Sequence, residues 1–265
     1  MLHPRIIPCL LVHQKGLVKT VRFRDPKYVG DPINAVKIFN EKEVDELIVL
    51  DIDATADQRE PDYKLIEHLA VECRMPLCYG GGIKTVEQAQ RIFNLGVEKI
   101  AISSLALDEP GVVAEIARRV GNQSVVVVMD VKKSKFRNRY ELYTHNAGKA
   151  RGIDPVTFAV QMQELGAGEL VINSIDQDGT MTGYDQKLID AVKEVVTIPV
   201  TVIGGAGSLK DMGEVIRKHS VIGVAAGSMF VFKGKYRAVL INYPTPLEKE
   251  AVFQEYFLPL VDSVK

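Results

Sequence analysis

Tryptophan is absent from the 265 residues, and cysteine is confined to Cys9, Cys73 and Cys78. Three cysteines without C-x-x-C spacing give neither a disulfide framework nor a zinc-type ligand set, so no metal is expected, and a reducing cytoplasm fits best. Charge of either sign is not in excess: 33 Lys and Arg face 34 Asp and Glu, a net charge of −1. Nothing global therefore points to nucleic acid or a membrane surface as a partner. The start Met-Leu-His-Pro-Arg lacks the basic and apolar regions of a signal peptide, and no apolar run is long enough to span a bilayer. There is no glycine- or proline-rich linker and no shift in composition. A chain of this length then reads as one unit, and α/β barrels reach about 250 residues as one unit.

What the chain does have is alternation. Short, β-branched apolar runs stand at Arg5–Val12, Asp45–Asp53, Pro76–Gly80, Glu98–Ser103, Ser124–Val131, Gly168–Ser174, Pro199–Ile203 and Val221–Ala226. Amphipathic stretches fill 32–42, 60–73, 84–95, 109–120, 154–165, 185–196, 208–219 and 246–262. Eight strands alternating with eight helices predict a parallel sheet with helical crossovers. Cys9 and Cys78 fall inside strands and read as small buried apolar residues. The C-terminal stretch with Leu247, Ala251, Val252, Phe257, Leu258, Leu260 and Val261 reads as the last packing helix.

The chain also repeats itself. A shift of 123 residues lays Asp45-Glu46-Leu47-Ile48-Val49 on Gly168-Glu169-Leu170-Val171-Ile172, Asp53 on Asp176, Pro76 on Pro199, and Gly81-Gly82 on Gly204-Gly205. A shift of 119 lays Ile6–Val12 on Val125–Val131. Acids, prolines and glycines register along with the apolar strands, so two fourfold halves, approximately 1–120 and 121–265, are expected to close into one (β/α)8 TIM barrel.

In such barrels the chemistry sits at the C-terminal ends of the strands. Gly80-Gly81-Gly82 ends the third strand and Gly204-Gly205-Ala206-Gly207 the seventh, each before a helix. Glycine turns let a backbone approach an anion, and a helix N-terminus supplies free N–H groups. Ser103-Ser104 and Gly227-Ser228 end the fourth and eighth strands. The candidate phosphate-type set is therefore Gly81, Gly82, Ser103, Ser104, Gly205, Gly207, Gly227 and Ser228, for a small ligand with two anionic ends. Lys15, Lys19, Arg22, Arg24 and Lys27 after strand one, and Lys132, Lys133, Lys135, Arg137 and Arg139 after strand five, read as basic mouth loops or as ordinary solvated charge.

Asp130 shares the period of Val126 and Val128, points into the mouth and is the leading acid/base candidate. Asp51, Asp53, Asp176 and Asp178 are further carboxylates, some of them serving loops and caps. At the opposite end, Arg5, Glu46, Lys99 and Glu169 start strands one, two, four and six in the phase of the interior lining. They form either an ion-pair layer closing the barrel or a gate beneath an apolar bore that passes ammonia and disfavours ammonium.

Taken together these residues resemble the cyclase subunit of imidazole glycerol phosphate synthase, the HisF family. The resemblance runs from Arg5-Ile6-Ile7-Pro8-Cys9-Leu10 to Gly227-Ser228-Met229-Phe230, and its most specific stretches include Tyr79-Gly80-Gly81-Gly82-Ile83 and Ser174-Ile175-Asp176-Gln177-Asp178-Gly179-Thr180. It implies a two-half barrel, no cofactor, and a HisH-like glutaminase docked on the N-terminal face that sends ammonia past a gate of Arg5, Glu46, Lys99 and Glu169. It implies catalytic roles for Lys19 and Asp130, and Asp178 joins them as a candidate. The family's strand-one aspartate is missing: Cys-Leu-Asp-Val is here Cys9-Leu10-Leu11-Val12. The family asparagine ending strand four is Ser103, the serine ending strand seven is Ile203, and His145-Asn146-Ala147-Gly148-Lys149 departs from the usual glycine-rich loop. The stretch from Gly16 to Pro32 looks like a paralogous branch that works with an N-acetyl-sugar amidotransferase in making acetamidino sugars for surface polysaccharides. An authentic histidine-pathway cyclase using Asp51 or Asp53, and a non-catalytic anion-binding scaffold, are the alternatives.

Overall fold

A computed structural model describes residues 3–134 and 139–259. Its centre is a closed parallel barrel of β1 (Arg5–His13), β2 (Leu47–Asp51), β3 (Leu77–Gly80), β4 (Lys99–Ile102), β5 (Val125–Lys133), β6 (Glu169–Ser174), β7 (Val200–Ile203) and β8 (Gly223–Ala226). Each strand pairs with the next in parallel, and β8 returns to β1 with Arg5 opposite Gly223. The principal helices are α1 (Pro32–Glu41), α2 (Tyr63–Glu72), α3 (Val86–Asn94), α4 (Gly111–Val120), α5 (Pro155–Glu164), α6 (Gln186–Lys193), α7 (Leu209–His219) and α8 (Pro246–Tyr256). Among the described residues no helix is long and apolar enough to cross a membrane.

The continuous valines of β5 follow from burial on both faces, as parallel sheets require. Val125, Val127, Met129 and Val131 pack outward against the helices, while Val126 and Val128 join a separate inner cluster. That cluster holds Ile7, Cys9, Ile48, Cys78, Ala101, Val171, Ile203 and Ala225, with Leu11 and Leu50 packed on it. The inside of the barrel is thus apolar along its middle.

Helix starts follow local chemistry. Asp31 and Asp154 cap α1 and α5 just before a proline that needs no N–H partner, and Ser208–Asp211 and Thr245–Glu248 form capping boxes for α7 and α8. The last helix runs continuously over Pro246–Tyr256, and Leu247 is 79% exposed while Val252, Tyr256 and Phe257 do the packing. The Tyr256 ring fills the notch left by Gly213, where a Cβ would lie 2.6 Å from it. Leu260 and Val261 lie outside the described residues.

The described parts of the two mouth loops include strands. Gly16–Val21 and Arg24–Gly30 form an antiparallel hairpin on β1, and Tyr140–Thr144 folds back on β5. Both strands that lead into them carry on past the barrel rim, because a hairpin satisfies backbone groups that would otherwise end unpaired.

Candidate functional site

At the C-terminal mouth the strand ends surround an open cavity of about 280 Å³. Asp130 stands in it one step above Val128, as the strand period dictates, and accepts a 2.9 Å hydrogen bond from Asn173 Nδ2. The two residues are register partners on β5 and β6. Burial pushes the Asp130 carboxyl up to about 7, with the Asn173 bond pulling it down and the Asp178 charge adding to the rise. A carboxyl titrating there can give or take a proton near neutral pH.

Lys19 reaches the same cavity from the first hairpin. Its Nζ donates to Asp178 Oδ1 at 2.6 Å, and both side chains are buried. Thr20 Oγ1 and the Phe23 backbone N–H donate to Asp178 Oδ2. Asp178 therefore ties the hairpin to the end of β6. Thr20 carried no sequence signal beyond its place beside Lys19.

The glycine turns come together on the cavity wall. Gly81 and Gly205 have φ of 124° and 113°. A Cβ on Gly81 would strike the Asp51 carbonyl, and one on Gly205 the Gly183 carbonyl, so neither position admits a side chain. Gly82, Ser103 and Ser104 line the same wall, as do Gly227 and Ser228 across the mouth. Gly207 lies on the turn after β7, where a Cβ would come within 2.5 Å of the Met181 carbonyl, and is not part of the cavity lining. Ser103 Oγ and Ser228 Oγ are buried without a hydrogen-bond partner.

The other carboxylates are committed to loop structure. Asp51 accepts from the backbone of Asp53 and Ala54, each at 3.0 Å, and burial raises its pKa against those two bonds. Asp53 holds His13 Nδ1 and the Gln14 N–H, each at 2.7 Å. Asp176 accepts from the Lys133 N–H at 2.8 Å. Among the mouth bases, Arg22 donates to the Asp176 carbonyl, Lys27 to that of Arg237, and Arg139 to Glu141. Lys135 and Arg137 lie outside the described residues.

At the barrel's other end, the starts of β1, β4 and β6 and the turn into β2 bring Arg5, Glu46, Lys99 and Glu169 into one closed ring. Arg5 donates to Glu46 and, at 2.7 Å, to Glu169. Lys99 Nζ donates to Glu46 at 2.8 Å and Glu169 at 2.9 Å. Thr201 Oγ1 adds a 2.6 Å bond to Glu169, a fifth member the charge pattern did not name. Its signal was its inward phase with Ile203 on β7. Burial alone would raise the Glu169 pKa, but the Arg5 and Lys99 charges overcome it and hold it low. Lys99 is held above the usual lysine range by the two glutamates despite its burial.

Comparison with known sequences agrees with this architecture. Residues 5–237 match the family described as "Histidine biosynthesis protein". A Vibrio vulnificus protein named "Putative imidazole glycerol phosphate synthase subunit hisF3" is 56% identical over 96% of this chain and 98% of its own length. A similarly named HisF protein of Leptospira interrogans is 55% identical over 96% of this chain and its own full length. A hisF2 protein of Pseudomonas aeruginosa is 50% identical over 92% of this chain and 97% of its own. The chain belongs to the HisF-like imidazole glycerol phosphate synthase subunit family.

Within this HisF-like barrel the two halves differ at a matched pair of mouth positions. The 119 and 123 shifts superpose Leu11 on Asp130 and Leu50 on Asn173. Leu11 and Leu50 are themselves register partners on β1 and β2. An apolar pair thus stands where the second half has a hydrogen-bonded polar pair. Both members are apolar, so no carboxylate or amide faces Asp130 from these positions.

Proposed function

We propose that this barrel is the ammonia-passing subunit of a glutamine-dependent amidotransferase. A HisH-like glutaminase docks on the N-terminal face, and the nitrogen leaves at the mouth for amidation of an N-acetyl sugar by a separate amidotransferase, in surface polysaccharide synthesis. The observation that carries the reading is the combination of a complete ion-pair ring below with the Leu11–Leu50 pair above. A ring of four charges beneath an apolar bore suits a neutral molecule with three N–H donors. Ammonia loses little on entering such a lining, whereas an ion loses its hydration. Passage requires one ring member to swing aside. Lys99, partly exposed and held by two bonds, is the natural mover.

The mouth supports binding of an anionic, phosphorylated ligand. Gly81, Gly82, Ser103 and Ser104 offer backbone and hydroxyl donors on one side, and Gly205, Gly227 and Ser228 on the other, with Gly207 shaping the turn. Asp130 and the Lys19–Asp178 pair remain for proton handling and ligand orientation. Dividing acid and base work between two carboxylates across the mouth is no longer possible with Leu11 in place. The loss of one such partner removes on the order of 10² or more in rate.

A second reading, an authentic cyclase of histidine biosynthesis, is favoured by the names of the relatives. One experiment separates them. The chain is co-purified with a HisH-like glutaminase, glutamine hydrolysis is measured with and without the barrel, and cyclase turnover is measured with ammonia supplied. Stimulated hydrolysis that Glu46→Gln alters, with little cyclase turnover, is expected. A robust cyclase rate, or rescue of a histidine auxotroph, would favour the second reading. No stimulation would leave a non-catalytic anion-binding scaffold.

A further inference from the structure

The bore ends on an unfilled hydrogen-bond acceptor. Asn173 is 6% exposed and gives its Nδ2 to Asp130, while its Oδ1 has no hydrogen-bond partner and the residue lines the mouth cavity. The amide orientation follows from chemistry, since an ionised Asp130 only accepts and so must face the NH₂ group. A buried acceptor left open is destabilising, and a ligand donor would relieve it. Immediately below lie Val128 and Val171, register partners in the apolar lining.

We propose that Asp130 and Asn173 form a binding site for ammonia or ammonium at the upper end of the bore, with Asn173 Oδ1 and the Asp130 carboxylate accepting two of the ligand's N–H bonds. Charge supports the assignment. Lys19 and Asp178 neutralise one another, and Asp130 has only an amide beside it, so the cluster carries a net −1 that one cation balances. Burial raises the Asp130 pKa to about 7, so this negative charge is present above that pH. Across the mouth, Leu11 and Leu50 can accept no hydrogen bond, so the site is confined to the second half. The proposal rests on the ammonia-passage reading only for where the ligand comes from.

The test needs no glutaminase. The purified ¹³C,¹⁵N-labelled chain is titrated at pH 8 with ammonium chloride and, separately, with potassium chloride. The Asp130 carboxyl carbon and the Asn173 side-chain amide are expected to shift saturably with ammonium and not with potassium. Asn173→Leu, which copies the first half, is expected to weaken the Asp130 response about tenfold or more, the equivalent of one charge-assisted hydrogen bond. Should that variant lose its fold, Asn173→Ala removes the same acceptor. Equal responses to the two salts, or an Asp130 response indifferent to Asn173, would overturn the site. A saturable ammonium response in a chain that no glutaminase couples to would keep the site and remove the passage.

Discussion

Asp130 is the residue whose environment departs furthest from what its side chain prefers. Its carboxyl titrates near 7 in the folded chain because burial penalises the anion, against about 3.9 unfolded. Between those values the native state holds a proton that the unfolded state has released, so stability falls as pH rises from about 4 to 7 and stays lowered above. Asp130→Asn keeps the shape and removes the charge. Its unfolding free energy, measured by urea titration, is expected to exceed that of wild type by on the order of 4 kcal/mol at pH 8 and to converge with it by pH 4. A difference independent of pH would show that Asp130 ionises freely. From the sequence, the strand period alone placed this carboxylate in the mouth. Its titration could not be read there, since it depends on the closing of β6 and the approach of Asn173 and Asp178, 43 and 48 positions on.

Among the elements, barrel strands and helices were legible and the mouth hairpins were not. Barrel strands are β-branched and bounded by glycine, proline and acid, and helices begin on capping side chains, signals that act within a few residues. The Gly16–Gly30 hairpin has a basic, unpatterned second strand, Arg24–Gly30, five of whose residues are exposed. It is held instead from a distance: the Arg22 N–H donates to the Asp178 carbonyl, and Asp178 grips Lys19 and Thr20. Gly179 makes that approach possible. It has φ of 71°, and a Cβ there would strike the Thr20 carbonyl. Gly179→Ala is therefore expected to push the hairpin off the rim. Amide exchange over 16–30 should accelerate while barrel-strand protection stays near wild type. Exchange unchanged in the hairpin would mean that the contact does not hold it.

For the whole molecule, the doubled barrel makes each half a control for the other. Leu11→Asp alone places a carboxylate against Leu50 with no donor at that position, an uncompensated burial expected to cost about 1–3 kcal/mol. Adding Leu50→Asn supplies the amide that Asn173 supplies in the second half. The double variant is expected to recover part of the loss, with a coupling of 0.5 kcal/mol or more in a double-mutant cycle. Strict additivity would show that the two pairs are not structural equivalents.

Pattern and repeat in the sequence by themselves determined the (β/α)8 barrel, its two halves, and which residues point inward at each end, because parallel strands alternate their side chains with a fixed period. The difference between Leu11 and Asp130 was likewise visible from the repeat. Only the tertiary structure decided which inward residues meet. It closed Arg5, Glu46, Lys99 and Glu169 into a ring with Thr201, sent Asp51, Asp53 and Asp176 to loop backbones, buried Lys19 on Asp178, and left Asn173 with one open acceptor. The reason is physical. Phase along a strand is local, whereas a hydrogen bond between residues 41 to 164 positions apart exists only once the barrel has closed and set their separation.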